Sequence, residues 1–217
     1  MGKLRCDISV SVDGYVAGSR QALDQPLGEG GERLHEWAFP LESFRRSHGM
    51  PGGETNIDSA VIDEKEQSVG ATIMGRRMFS GGHGPWEDDP NADAWWGDNP
   101  PFHHSVFVLT HHERAPVTKE GGTTFTFVTD GIESALDQAY RAAGEHDVAV
   151  GGGATVMQQY LRAGLLDEFQ IHVAPVLLGD GLRLFENHLS QAPLGLECTR
   201  TIESPTGVRH LRYRVMR

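Results

Sequence analysis

Between residues 4 and 12 apolar and polar side chains alternate without a break. Leu4, Cys6, Ile8, Val10 and Val12 share one face, and Arg5, Asp7, Ser9 and Ser11 share the other. A period of two predicts a strand, which Asp13-Gly14 ends. Residues 18 to 53 are rich in glycine, with two prolines and a short apolar patch at Trp37-Ala38-Phe39; they read as a long loop with one helical turn. A helix is predicted from Asn56 to Ser68, opened by Thr55 and Asp58 as a capping box in which the acid replaces Glu or Gln. Short strands are predicted at Ala71 to Met74, Ser105 to Thr110, Thr124 to Val128 and Val148 to Val150.

The clearest helical stripe is Ile132, Ala135, Leu136, Ala139, Tyr140 and Ala143, with Asp130 expected at its N-cap and Gly144 just past its end. A further helix runs from Ala154 to Ala163 and stops at Gly164. Phe169, Ile171 and Val173 then alternate with Gln170, His172 and Ala174, and a hairpin pairs 195 to 203 with 208 to 216 across Ser204-Pro205-Thr206-Gly207. Strands and helices alternate through the middle and strands close the end. That order predicts an α/β fold, a mixed sheet with helices on its faces, and no long polar linker divides residues 1–217 into separate domains.

The 217 residues carry a formal net charge of −11. An acidic surface disfavours nucleic acid, whose phosphates need a basic footprint, and disfavours anionic membranes. A local arginine pair still suffices for an anionic cofactor. The chain has no apolar run of the roughly 18–20 residues needed to span a bilayer. Cys6 and Cys198 each lie in an alternating apolar pattern and read as small core residues in a reducing compartment. With no leader-like N-terminus, a cytoplasmic location is expected.

Two segments carry candidate chemistry. Val148-Ala149-Val150-Gly151-Gly152-Gly153-Ala154-Thr155-Val156 is a buried strand, three glycines and a helix start. Glycine admits a diphosphate without a Cβ in the way, and the helix offers unpaired N–H groups at the positive end of its dipole. It lacks both the G-x-G-x-x-G fingerprint and a Walker lysine, so a tight turn without ligand explains it equally well. Ala71-Thr72-Ile73-Met74-Gly75-Arg76-Arg77-Met78-Phe79 is a strand ending in two guanidinium groups, which suit the 2′-phosphate of an NADP-type cofactor or form a solvated basic edge.

Taken in order, strand, Met-Gly-Arg-Arg, a strand ending in Leu109-Thr110, helix, strand, Gly-Gly-Gly and helix, the chain resembles dihydrofolate reductases. It is more similar still to the reductase (C-terminal) domain of the bifunctional riboflavin-biosynthesis deaminase-reductase and its stand-alone relatives. Ser11-Val12-Asp13-Gly14-Tyr15-Val16-Ala17, Ala163-Gly164-Leu165-Leu166-Asp167-Glu168 and Pro175-Val176-Leu177-Leu178-Gly179-Asp180-Gly181 match that group across nearly the whole chain. The resemblance implies a three-layer fold with a mostly parallel central sheet and a C-terminal antiparallel hairpin. It implies a homodimer and an NADPH-dependent reductase acting on a small heterocyclic (pterin- or pyrimidine-like) or carbonyl substrate. Gly75, Arg76, Arg77 and Met78 would hold the adenosine phosphates and Thr110 would sit beside the adenosine ribose. Gly151 to Gly153, with Ala154, Thr155 and Val156, would meet the pyrophosphate; Val16 and Ala17 would flank the nicotinamide.

A proton donor or orienting carboxylate is also implied, borne on the helix before the Gly-Arg strand. Glu64 falls on the stripe of Ile57, Ala60, Val61 and Ser68, where an apolar residue belongs. Asp63 is the alternative acid, and Asp13 stands at the mouth of the first strand. The same residues also read as a solvated helix face. The aromatic stretch from Gly82 to Phe102, with Trp86, Trp95 and Trp96, suits either a cover over the cleft or a dimer contact. His103-His104 and His111-His112 lack metal-ligand spacing, and no metal is expected; His172 has the better claim to line a cleft. A nucleotide sensor without turnover, or a flavin or folate binder at the same cleft, fits the cofactor segments as well.

Overall fold

Strict alternation in the first strand suggests one dry and one wet face, and the fold buries both. The structure, a computed structural model, describes residues 2–82, 84–92, 96–185 and 194–217. Its strands are β1 (Leu4–Ser11), β2 (Tyr15–Ala17), β3 (Val69–Gly75), β4 (Ser105–Leu109), β5 (Val117–Thr118), β6 (Thr124–Val128), β7 (Asp147–Gly152), β8 (Glu168–Ala174), β9 (Leu182–Arg183), β10 (Gly195–Glu203) and β11 (Arg209–Met216). Its α-helices are α1 (Glu42–Ser47), α2 (Ile57–Ser68), α3 (Arg76–Ser80), α4 (Ile132–Ala143) and α5 (Ala154–Arg162). Nine strands form one sheet in the order β10-β11-β8-β1-β7-β3-β4-β6-β5, and β2 pairs with β9 separately. The contacts from β8 through β1, β7, β3 and β4 to β6 are parallel; β11, β10 and β5 are antiparallel to their neighbours. This is the mixed, mostly parallel sheet with a terminal hairpin of the dihydrofolate-reductase-like fold.

The apolar stripe of α4 lies on β3, β4 and β7. Ala135, Leu136, Ala139 and Ala143 join Leu4, Cys6, Ile73, Phe107, Val148 and Val150 in the main core, to which α5 adds Met157 and Tyr160. On the opposite face, α3 sets Phe79 against Met74, Val106, Val108 and Phe125 in a second, smaller core. The rest of that face is polar yet buried. Strand register places Arg5, Asp7 and Ser9 of β1 beside Glu168, Gln170 and His172 of β8, and these beside Arg214, Arg212 and His210 of β11. Buried polar groups persist only when partnered, and α2 supplies the partners: Ser68 accepts from Arg5, Glu64 from Arg212, and Asp58 pairs with His210.

Four expectations are corrected. The capping box of α2 is formed by Asn56 and Ser59, not Thr55 and Asp58: Asn56 Oδ1 accepts from the N–H groups of Asp58 and Ser59, and Ser59 Oγ accepts from Asn56 N–H. The helix starts one residue later than Thr55 requires, which frees Asp58 to turn inward. Gly131 rather than Asp130 stands at the N-cap of α4, with no side-chain cap; Asp130 lies one residue too early. Cys198 is exposed, on the edge strand β10 of the sheet. The long loop contains two helical turns, Gly31–Leu34 and α1. Among the described residues no helix is long and apolar enough to cross a membrane.

Candidate functional site

The buried polar patch and the second core leave a cleft of about 1640 Å³ between them, on the α2 and α3 side of the sheet. Pockets for a single drug-sized ligand run to roughly 300–1,000 Å³, so this cleft has room for a dinucleotide and a second molecule. It reaches the carboxyl ends of parallel strands β3 and β7, where α/β sheets take their ligands. Its walls include Asp7, Ser9, Trp37, Thr72 and His172.

One edge is built from glycine. Gly152 has φ +145°, and a Cβ there would stand 2.8 Å from Met78 Sδ; Gly153 has φ +81° with open space where its Cβ would be. A side chain at either position is therefore strained, and the bare backbone runs straight into the first turn of α5. Val156 N–H bonds back to the Gly153 carbonyl at 3.0 Å. Ala154 and Thr155, whose N–H groups precede any intrahelical acceptor, line the cleft with Gly151, Gly152 and Gly153. Gly75, Arg77 and Met78 line the cleft too, Met78 close against Gly152, as do Val16 and Ala17.

The two arginines part company. Arg77 is exposed and stands in the cleft wall. Arg76 is buried outside it: its guanidinium meets Asp89 Oδ2 at 2.5 Å, hydrogen-bonds Ser80 Oγ, and lies 3.6 Å over the Trp86 ring. Both open a helix, and successive helical residues diverge by about 100°, so only one can face the cleft. Burial opposes charge on Asp89, but hydrogen bonds from Ser80, Arg76 and the Asn91 N–H prevail and hold its pKa below the usual carboxylate value. Thr110 and Val156 stand outside the wall; Thr110 is buried, its N–H on the Val128 carbonyl and its Oγ1 accepting from His112 N–H.

None of the three expected acids lies on the cleft wall. Glu64 bridges Arg212, at 2.7 Å, and Arg200. The Arg212 hydrogen bond, ahead of that from Arg200, lowers its pKa, so it stays ionised. Asp63 pairs with Arg46. Asp13 caps a turn, accepting from the N–H groups of Leu178 and Gly179; a Ser11 hydrogen bond and these two hold its pKa down to about 2. A group whose folded pKa is depressed stabilises above its unfolded value and loses that contribution as pH falls through the folded one. Glu64→Gln is thus expected to lower stability at pH 7 by less than about 1 kcal/mol, the Glu64 side chain being 38% exposed. Urea unfolding of both proteins should converge below the usual carboxylate range; a gap that widens toward acid would contradict the ion-pair assignment.

A histidine system does reach the cleft. His172 lines it, and its Nδ1 lies 2.7 Å from His210 Nδ1, whose Nε2 lies 2.8 Å from Asp58 Oδ1. Asp58 Oδ2 accepts from Ser204 Oγ at 2.7 Å and Thr206 Oγ1 at 3.0 Å. Trp37 sits over both imidazoles, at 5.0 and 5.3 Å between centroids, and donates to Ser9 Oγ. Of this group the sequence pointed only to His172; the polar alternation of His210 and Arg212 in the last strand was the available signal. His104 also lines the cleft, bonded at 2.8 Å to Thr72 Oγ1, and burial pushes its pKa down to about 4. Trp86 belongs to the packing around Phe79 and Phe127, whereas Trp96 and Phe102 line the cleft; Trp95 lies outside the described residues. Among the described residues no group of three His, Cys, Asp or Glu side chains could hold a metal.

Residues 2–209 match the model of the RibD C-terminal domain. The chain belongs to that family. A Bacillus subtilis (strain 168) relative, uncharacterized protein YyaP, is 25% identical over 204 residues, 91% of this chain and 88% of its own. Among solved structures, a putative riboflavin biosynthesis protein from Shewanella sp. PV-4 aligns over 99% of each chain at TM-score 0.63 and 21% identity. A dihydrofolate reductase from Enterococcus faecalis, complexed with NADP(H) and RAB-propyl, aligns over 100% of this chain and 98% of its own at TM-score 0.51 and 14% identity. At these identities the two structures show a shared fold alone.

Proposed function

We propose that this family member is an NADPH-dependent reductase of a small heterocyclic or carbonyl substrate. The observation that carries the reading is the meeting of two unlike walls in one cleft. The bare glycine edge and first turn of α5, with exposed Arg77 in the same cleft, suit a phosphate-bearing dinucleotide. The wall of Asp7, Ser9, Trp37 and His172 suits a flat polar ring. Gly151 to Thr155 would hold the diphosphate, Arg77 the 2′-phosphate, and Val16 and Ala17 the nicotinamide, while Arg76, Thr110 and Val156 stand outside the cleft wall. When bound, the reduced nicotinamide supplies the hydride. The chain's own part is to orient the substrate, exclude water and provide a proton. Glu64 we assign to bracing: through Arg212 and Gln170 it fixes Asp7, which also pairs with Arg5.

Thermal unfolding with each cofactor tests the binding half. NADPH at a hundredfold excess over its Kd stabilises by about 2.7 kcal/mol, which for a chain of this size raises Tm by about 5–11 °C. NADH at the same concentration is expected to shift it far less. Equal shifts would overturn the Arg77 assignment. Loss of NADPH absorbance with a panel of pterins, pyrimidines and quinones tests turnover, and binding without oxidation of any would favour a sensor instead.

A further inference from the structure

Reduction of a C=N or C=O bond needs a proton as well as a hydride, and the two buried carboxyl groups of the cleft wall, Asp7 and Asp89, are already committed, while Glu66 pairs with Arg46 and Asp88 is exposed. Asp7 accepts from Arg5 on one oxygen and from Gln170 on the other; Asp89 is held by Arg76 and Ser80. His172 differs. Its Nδ1 is taken by His210, and among the described residues its Nε2 has no hydrogen-bonding partner although the ring lines the cleft. We propose that His172 donates the substrate's proton from Nε2, and that His210 and Asp58 behind it are positioning residues that store this proton and set the His172 tautomer. The proposal rests on the reductase reading for its use, and on the three side chains themselves for its chemistry.

Donor and acceptor accounting allows two states of the row. Asp58, as the anion, accepts from Ser204 and Thr206 on Oδ2, so Oδ1 receives the His210 Nε2–H in both. In the resting state His210 Nδ1 carries no proton and accepts from His172 Nδ1–H, which leaves a lone pair on His172 Nε2. In the loaded state His210 is the cation beside Asp58; its Nδ1–H donates to His172 Nδ1, and His172, still neutral, presents Nε2–H to the cleft. Transfer converts loaded to resting. A C–H bond forms from the hydride, the C=N or C=O π bond breaks, and its electron pair takes the Nε2 proton. As that proton leaves, the His210 Nδ1 proton moves in concert to His172 Nδ1, so the ring stays neutral throughout. One proton from solvent reloads the row, so the sum is substrate, NADPH and one proton giving reduced substrate and NADP+.

The geometry sets the carboxylate against His210 and not against His172. The charged or titratable groups facing His172 are Asp7 from β1, His210 from β11, Lys65 from α2 and His35 from the loop. Burial, with the positive neighbours adding to it against Asp7, pushes the His172 pKa down to about 3. His210, by contrast, touches a carboxylate that has no other cation within reach among the described residues. Trp37 packs beside both rings, and His210 and Asp58 are buried behind His172.

Nitrogen NMR of the 15N-histidine-labelled full chain, without cofactor, reads the row directly. At high pH the wild type is expected to show His172 protonated at Nδ1 and bare at Nε2, with a coupling across the Nδ1–Nδ1 hydrogen bond. On acidification a single proton uptake should convert His172 to the Nε2–H tautomer while His210 becomes doubly protonated. Asp58→Asn, which keeps the shape but removes the charge, is expected to lower the midpoint of that switch by about 1–3 pH units. If it does not fold, the wild-type titration alone decides. A His172 tautomer that does not change, or two histidines that titrate independently, overturns the proposal while leaving cofactor binding untouched. Absent NADPH binding overturns the reductase reading while leaving the switch intact.

Discussion

Arg77→Ala is expected to weaken NADPH binding about 10–150-fold while changing NADH binding less than about twofold. The estimate is the loss of one or two charge-assisted hydrogen bonds, about 1.5–3 kcal/mol in all. Arg77 is exposed on the cleft wall, whereas Arg76 is buried outside it against Asp89, Ser80 and the Trp86 ring. Fluorescence titration of both cofactors measures it. Arg76→Ala serves as the contrast: it leaves Asp89 buried without its cation, so its cost should appear in stability rather than in the choice between NADPH and NADH. A preference lost equally in both variants would mean that the second arginine reaches the phosphate after rearrangement.

Asp58→Ala is expected to be the most destabilising single substitution on this face. Asp58 and His210 are fully buried, and the carboxylate receives His210, Ser204 and Thr206 at once. Removing it strands a buried imidazole and a buried hydroxyl, a loss of about 3–5 kcal/mol. For a chain of this length that is a fall in Tm of about 6–20 °C, measurable by calorimetry. The hub ties α2 to the turn before β11, so its loss should also loosen the β10–β11 hairpin in hydrogen exchange. A fall of under 2 °C would show that water or a neighbour replaces the carboxylate.

Much of this protein was legible from local chemistry. The α4 stripe, the β6 and hairpin alternations and the glycine run before α5 were read within a residue or two of their observed bounds. Each is specified by neighbours in sequence: helical or strand periodicity, a turn signal, a residue that alone tolerates positive φ. The order of these segments was enough to place the chain among dihydrofolate-reductase-like proteins, which the family match over residues 2–209 bears out.

The tertiary structure alone decided which polar residues matter. In β1, Arg5, Asp7 and Ser9 look like a solvent face, yet the fold buries all three and sets Asp7 and Ser9 in a cleft wall. Asp58 looked like a helix cap and proved to be the anchor of a histidine pair from two other strands, 152 residues away in the case of His210. Glu64 looked like a candidate acid and is bound by arginines from β10 and β11. Arg76 and Arg77 are adjacent in sequence and part only because a helix begins at that point. In each case the partner is distant along the chain, and burial depends on what covers a face rather than on the face's own pattern. The sequence could therefore set the periodicity and the glycine edge, while pairing, charge state and access to the cleft waited on the packing of α2 against the sheet.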